Sequence, residues 1–407
     1  MRKYNPSQWG GTETAVQRLF EGLRAHGVDP VIYCPRLPVE PERDPLQERG
    51  CQVKRFKACV PVWGISDEQK EQLISVGGNL MSFDALWSLL SEDDISIIHT
   101  HTGNRLGGIA LTAAKIRHLP LVAHIHGGVL DLPAAAKEYL LKPLRGGVEW
   151  GKLFGWPLRS RKVLEEADAI LTCNQKEADL LAEKYPRQRI VVQPHSVPAD
   201  LYATDHRAEA RAAFPEIQDR QILLMVGRID PVKNQQWVID QATNIFQKFP
   251  EALLVMAGAC TDAAYGDQLK TAIQAAGLEA RVLWVGCLPP GDPRLIGLFQ
   301  EAAVVILPSL SETFGLIILE AWAAGAIVLS SGTSGAAQLI RHGENGWMFD
   351  LENPAGFHSA LEDALTRPEL KKQFAALGRR RVREEFDVAA VGGRVKKLYD
   401  ELIEEKK

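Results

Sequence analysis

Short apolar runs that alternate with stretches of helical periodicity constrain this chain more than any other feature. In the first half, the runs at 30–34, 52–56, 95–100, 121–125, 169–173 and 190–193 read as strands. In the second half the same reading applies to 222–226, 253–257, 282–285, 304–307, 327–330 and 347–349. Continuous apolar runs of this length mark strands buried on both faces, as in parallel sheets covered by helices. Strands regularly separated by helices imply βαβ units, and two such blocks imply two doubly wound α/β domains. The boundaries fall at 1–193 for the first domain, 194–217 for a polar linker (Asp205-His206-Arg207-Ala208-Glu209), 218–386 for the second domain and 387–407 for a terminal helix. That last stretch repeats Val391, Val395, Leu398 and Leu402 at helical spacing.

Composition removes several function classes. A chain of 407 residues with 46% hydrophobic content can bury two sizeable cores. A net charge of −4 and the lack of a basic tract argue against nucleic-acid binding. The six cysteines are scattered with no CxxC or Cys/His cluster, so neither a zinc site nor a disulfide framework is expected. No apolar run reaches the length of a spanning helix and no signal segment is evident, which makes a cytoplasmic protein the plain expectation.

Two carboxylates carry most of the functional information. Glu312 and Glu320 bracket the apolar run Thr313-Phe314-Gly315-Leu316-Ile317-Ile318-Leu319, directly after the strand-like 304–307. The run reads as a helix starting near Phe314 and stopped by Gly325. Burying an acid on such a helix is costly unless a polar partner meets it. At about 1.5 Å per residue the two acids lie roughly 10–12 Å apart, with unpaired helix amides between them. That spacing suits a ligand with a hydroxylated ring at each end and a phosphate bridge between, which describes a nucleotide sugar. A capping acid plus a salt-bridged core acid is the structural alternative.

A second element strengthens the first. The strand 221–226 ends in Gly227-Arg228-Ile229-Asp230-Pro231-Val232-Lys233. Two cations at the carboxyl end of a parallel strand sit where open α/β sheets bind ligands, and both suit phosphate oxygens. A third element, Gly10-Gly11-Thr12-Glu13-Thr14, is a glycine turn in which Thr12 can cap the helix that follows.

Together these residues resemble the Glu-x7-Glu signature of the retaining glycosyltransferases of family 4, which have the GT-B fold. The resemblance covers nearly the whole chain. It implies two Rossmann-like domains facing across a cleft, the first on the acceptor side and the second binding the donor, with the C-terminal helix crossing back to the first. It places Glu312 beside the donor sugar and Glu320 on the ribose. Arg228, Lys233 and the amides of Phe314, Gly315 and Leu316 fall on the diphosphate, with Gly10 and Gly11 in the loop that closes over it. His126, in His124-Ile125-His126-Gly127, corresponds to a strand-end histidine near the reaction centre, where it would contact a donor-sugar or acceptor hydroxyl. A structural role is the alternative for His126, and equally for His99 and His101. Gly77-Gly78-Asn79-Leu80 and residues 128–156 are candidates for shaping the acceptor pocket.

The implied activity is transfer of a sugar, a hexose being the expected class, from a nucleoside-diphosphate sugar to a hydroxyl acceptor with retention of configuration. Cations and helix amides would stabilise the leaving phosphate, and no Asp-x-Asp triplet occurs, so neither metal nor cofactor is expected. The acceptor, whether glycan, lipid or small molecule, is left open, as is peripheral contact with a membrane and the choice between covalent and front-face chemistry. A sugar-nucleotide epimerase of the same fold and a catalytically silent nucleotide-sugar-binding protein are the alternatives.

Three departures from the family stand out. Pro194-His195-Ser196-Val197 replaces the usual Pro-Asn-Gly-Val, and Gln338 stands where an acid is common. Relatives also open with a buried strand that Met1-Arg2-Lys3-Tyr4-Asn5-Pro6 is too short and polar to supply. The expectation is a start upstream of Met1, with a stub around Tyr4 as the alternative and a poorly stable first domain if Met1 is native.

Overall fold

The computed structural model describes residues 1, 4, 10–37, 44–75, 80–127 and 148–407. They form two compact units, Met1–Pro194 together with Val391–Lys407, and His195–Ala390. The strands in chain order are β1 (Val31–Pro35), β2 (Gln52–Phe56), β3 (Val62–Trp63), β4 (Ile98–Thr100), β5 (Leu121–Ile125), β6 (Val148–Glu149), β7 (Ala169–Thr172) and β8 (Ile190–Val192) in the first unit. The second unit has β9 (Gln221–Val226), β10 (Ala252–Ala257), β11 (Val282–Gly286), β12 (Ala302–Leu307), β13 (Val328–Ser331) and β14 (Trp347–Phe349).

In the first unit, β4, β5, β7 and β8 form a parallel sheet in that order. Successive side chains of a strand face opposite sides. Leu121 and Ala123 of β5 accordingly pack with Ala110, Leu111 and Ala113 of the helix Asn104–Ile116. Val122 between them packs with Leu19 and Leu23 of the helix Gly11–Ala25 and with Val391, Val395 and Leu398. The terminal helix Val388–Glu405 thus contributes its apolar stripe, from Val391 onward, to the core of the first unit. Ion pairs from Arg189 to Glu401 and from Asp168 to Lys406 hold the same helix at its far end.

β1 and β2 form a separate parallel pair, and among the described residues no strand joins them to the four-stranded sheet. Tyr4 lies outside any strand. Its ring is buried with Val16, Phe20 and Ile32, and its hydroxyl donates to the Asp44 carboxylate at 2.5 Å. β3 and β6 form an antiparallel pair that the sequence reading did not anticipate.

The second unit is a six-stranded parallel sheet in the order β11-β10-β9-β12-β13-β14. Its core joins Leu223, Met225, Leu254, Met256, Val304 and Ile306 to Val238 and Ile239 of the helix Gln235–Lys248 and to Phe357 of the helix Ala355–Thr366.

Residues 194–217, expected as a linker, instead carry the helices Ala199–Ala203 and Arg207–Ala213 and the 3-10 turn Pro215–Ile217. From His195 onward they belong to the second unit. Buried Val197, Tyr202, Ala210 and Ile217 anchor this stretch, and polar bonds add to them. Buried Gln300 accepts from the His206 amide at 2.8 Å and donates to the Tyr202 and Thr204 carbonyls at 3.0 and 2.7 Å.

Replacing Gln300 by Leu keeps the volume but strands those groups, and should cost about 1–3 kcal/mol in urea unfolding. Gln274→Leu, at an exposed position, should stay within about 0.5 kcal/mol. Equal stability of the two variants would return 194–217 to a passive tether.

Candidate functional site

In the second unit the sheet reverses its winding between β9 and β12. Loops leaving the carboxyl ends of two such strands turn apart, and the crevice they leave is where open α/β sheets bind ligands. The motifs singled out by sequence fall on these two loops: Arg228 and Lys233 follow β9, and Glu312 follows β12.

The loops are bonded to each other. Lys233 Nζ lies 2.5 Å from Glu312 Oε2, with both side chains about one-fifth exposed, at 19% and 22%. The Leu310 amide donates to the Val232 carbonyl at 2.8 Å, and Asn234 Nδ2 donates to the Pro308 carbonyl at 3.2 Å. Asp230 organises the first loop: its Oδ1 accepts the Lys233 amide at 3.0 Å and its Oδ2 meets Arg228 Nη2, also at 3.0 Å. Gln235 reaches back to the Arg228 carbonyl at 2.8 Å. Arg228 remains more than half exposed, so its guanidinium can turn to an incoming anion.

The helix after Glu312 runs Leu316–Ala324, so it begins two residues later than the expected start at Phe314. Gly315 takes the left-handed conformation at φ 95°, which only glycine adopts at little cost, and this ends the loop. Phe314 is thereby turned inward, 2% exposed and edge-on to His195 at 4.9 Å. Gly325 closes the helix as expected, in the same backbone region. The Ile318 amide donates to the Gly315 carbonyl at 2.9 Å, and the amides that begin the helix stand at the positive end of its dipole. Glu320 is buried on this helix at 3% exposure.

Glu312 is fixed through its backbone. Its carbonyl accepts the Gly335 amide at 2.9 Å and the Ser334 hydroxyl at 3.3 Å. A Cβ on Gly335 would come within 2.6 Å of the Phe314 backbone, so only glycine permits this approach. Sequence reasoning noted residues 334–338 only as a departure and missed this support. It also missed Asp230, whose position right after Arg228-Ile229 and before a proline was the available signal for an Asx-type turn.

The remaining candidates lie in the first unit. Gly10 precedes the helix Gly11–Ala25 as its N-cap, so the cap is not Thr12, which lies inside the first turn. The start is set by Glu13, whose carboxylate accepts the Gly10 amide at 3.1 Å, while the Gly10 carbonyl accepts the Thr14 amide. Gly11 is therefore helical rather than part of a loop. His126, just past β5, has its Nε2 2.8 Å from His101 Nδ1. Gly77, Gly78, Asn79 and residues 128–147, named as acceptor-side candidates, lie outside the described residues.

Comparison with known proteins agrees with this layout. Residues 206–381 match the family described as glycosyl transferases group 1, and residues 10–195 match the glycosyl transferase 4-like domain. The chain belongs to the family 4 glycosyltransferases of the GT-B fold.

The D-inositol 3-phosphate glycosyltransferase of Thermobispora bispora is 28% identical over 255 residues, 61% of this chain and 59% of that protein. The enzyme of the same name from Mycolicibacterium paratuberculosis is 34% identical over 221 residues, 52% of this chain and 48% of that protein. The matches thus span about half the length of these curated relatives. Anabaena HepE, solved in complex with UDP-glucose, superimposes with a TM-score of 0.72 at 17% identity over 98% of both chains, a likeness of fold. In this family 4 chain, Arg228, Lys233 and Glu312 lie on the two loops that follow β9 and β12 of the second unit.

Proposed function

We propose that the chain is an enzyme that transfers a sugar from a nucleoside-diphosphate sugar to a hydroxyl acceptor. The reading adds retention of anomeric configuration and no requirement for a metal ion. The observation that carries it is the Lys233–Glu312 pair, which puts a cation and a carboxylate at a sheet switch point beside a helix N-terminus.

Each cation is paired with a carboxylate, Lys233 with Glu312 and Arg228 with Asp230. A diphosphate entering the crevice exchanges these partners for its own oxygens, assisted by the amides of Phe314, Gly315 and Leu316. Glu312 is then released toward the donor sugar, while buried Glu320 holds the ribose hydroxyls. In the reaction the bond from the anomeric carbon to the diphosphate oxygen breaks, and a bond to the acceptor oxygen forms on the same face. The acceptor proton leaves with the nucleoside diphosphate or with a nearby base. Arg228, Lys233 and the helix dipole stabilise the departing charge, the role that a divalent ion fills elsewhere. His126, with Gly10 and Gly11, is assigned to the first unit's share of substrate contacts.

A panel of UDP- and GDP-sugars, followed by release of nucleoside diphosphate with and without candidate acceptors, tests the reading. Transfer or slow donor hydrolysis is expected, and its rate should survive saturating EDTA. Loss of turnover on chelation, restored by magnesium or manganese, would overturn metal independence, and interconversion of the sugar would turn the reading to an epimerase.

Arg228→Ala and Lys233→Ala should each lower kcat/KM about 10–100-fold through loss of a charge-assisted phosphate contact. Normal kinetics in both folded variants would remove the donor site from this crevice.

The two acids should separate. Glu320→Gln should mainly raise the donor KM, since a ribose contact is equal in ground and transition states, whereas Glu312→Gln should mainly lower kcat. If both variants instead melt earlier and turn over normally while folded, the pair serves the core and not the reaction.

A further inference from the structure

The first unit holds a second concentration of ionisable side chains, of which the transfer chemistry draws only on His126. His99 and His101 stand two residues apart along β4 and its continuation, and His124 and His126 do the same along β5. Residues two apart share a face, and β4 pairs with β5 in parallel, His99 opposite Val122. The four imidazoles therefore stack in a ladder. Ring centroids are 4.4 Å apart for His99–His101 and for His124–His126, and 5.2–5.3 Å for His99 and His101 against His124.

One ring nitrogen from each of His99, His101 and His124 lies within 4.8 Å of the others. His99 is anchored from behind: its Nδ1 is hydrogen-bonded to the hydroxyl of Tyr399, on the terminal helix. Its Nε2 is buried, with no hydrogen-bond partner among the described residues. A ring fixed at one nitrogen and unsatisfied at the other has the arrangement of a metal-ligating histidine with its outer partner. Burial pushes the His99 imidazole down to about 3 and His101 well below the usual histidine range, so these two rings are neutral. Neutral imidazole is the form that coordinates metal. Tetrahedral zinc with bonds of about 2.0–2.1 Å spaces its ligand atoms roughly 3.3–3.4 Å apart, so binding would draw together nitrogens that here lie within 4.8 Å of one another.

We propose that His99, His101 and His124 bind one divalent transition-metal ion of borderline softness, zinc being the fitting case. His126 stays outside the ligand set, held by its hydrogen bond to His101. The ion would lie in the first unit, while the diphosphate contacts proposed above all lie in the second, so the transfer chemistry does not call on it.

The test uses the full chain without an affinity tag, stripped with chelator and dialysed against micromolar zinc. Elemental analysis should give one zinc per chain, and X-ray absorption at the zinc edge should show nitrogen ligands at about 2.0 Å. Titration should show at least tenfold weaker binding in His99→Gln and in His101→Gln, with exposed His118→Gln unchanged. Tyr399→Phe, which keeps the ring and removes only the outer hydrogen bond, should weaken zinc about tenfold. If the histidine variants fail to fold, Tyr399→Phe and the absorption spectrum of the wild-type chain decide. No stoichiometric zinc, sulfur in the coordination shell, or equal affinity in all folded variants would overturn the proposal.

Discussion

The candidate site depends on the reversal of winding between β9 and β12. Pairing of Leu223 with Val304 and of Leu224 with Val305 puts these two strands side by side. Lys233 and Glu312, 79 positions apart in the chain, are thereby brought into contact at the ends of their loops. An ion pair that remains partly wet contributes little to stability, on the order of 1 kcal/mol or less. Under the proposed function its value lies in readiness, since a carboxylate can be exchanged for a phosphate at small net cost. Asp230, Asn234 and Gly335 hold the backbone, so reorganisation falls on side chains alone.

Much of this was legible in the sequence because buried parallel strands leave long apolar runs. β5 and β14 end where the apolar pattern ends, β2 keeps the expected bounds 52–56 although it is largely polar, and most other strands differ by a residue or two. β4 is shorter than its apolar run because its ladder with β5 begins only at Ile98 opposite Leu121. The paired acids and the two cations were readable for a related reason. A charged residue interrupting or ending an apolar run is expensive to bury without a partner, so it stands out.

The rest depended on contacts that no local pattern announces. β3 and β6 are two residues each and exist only because they meet each other. Residues 199–213 are short and polar, and Gln300, almost a hundred positions away, holds them in place. The helix start at Gly11 instead of after a Thr12 cap follows from Glu13 reaching back one turn, a choice the sequence Thr-Glu-Thr leaves open. The histidines were visible as strand-end residues, but their stacking is a matter of β4–β5 register, and Tyr399 is 300 positions away from His99.

The terminal helix has a consequence for how the chain is made. Val391, Val395, Leu398 and Leu402 belong to the same apolar cluster as Leu19, Leu23 and Val122. A nascent chain that has already produced the whole of the first sheet still lacks one wall of its core until residues 391–402 have been made. Through the whole synthesis of the second unit, the first must wait with an apolar face uncovered, the state in which chaperones capture partly folded chains and in which they aggregate. The first unit therefore completes its core only after the second has been translated.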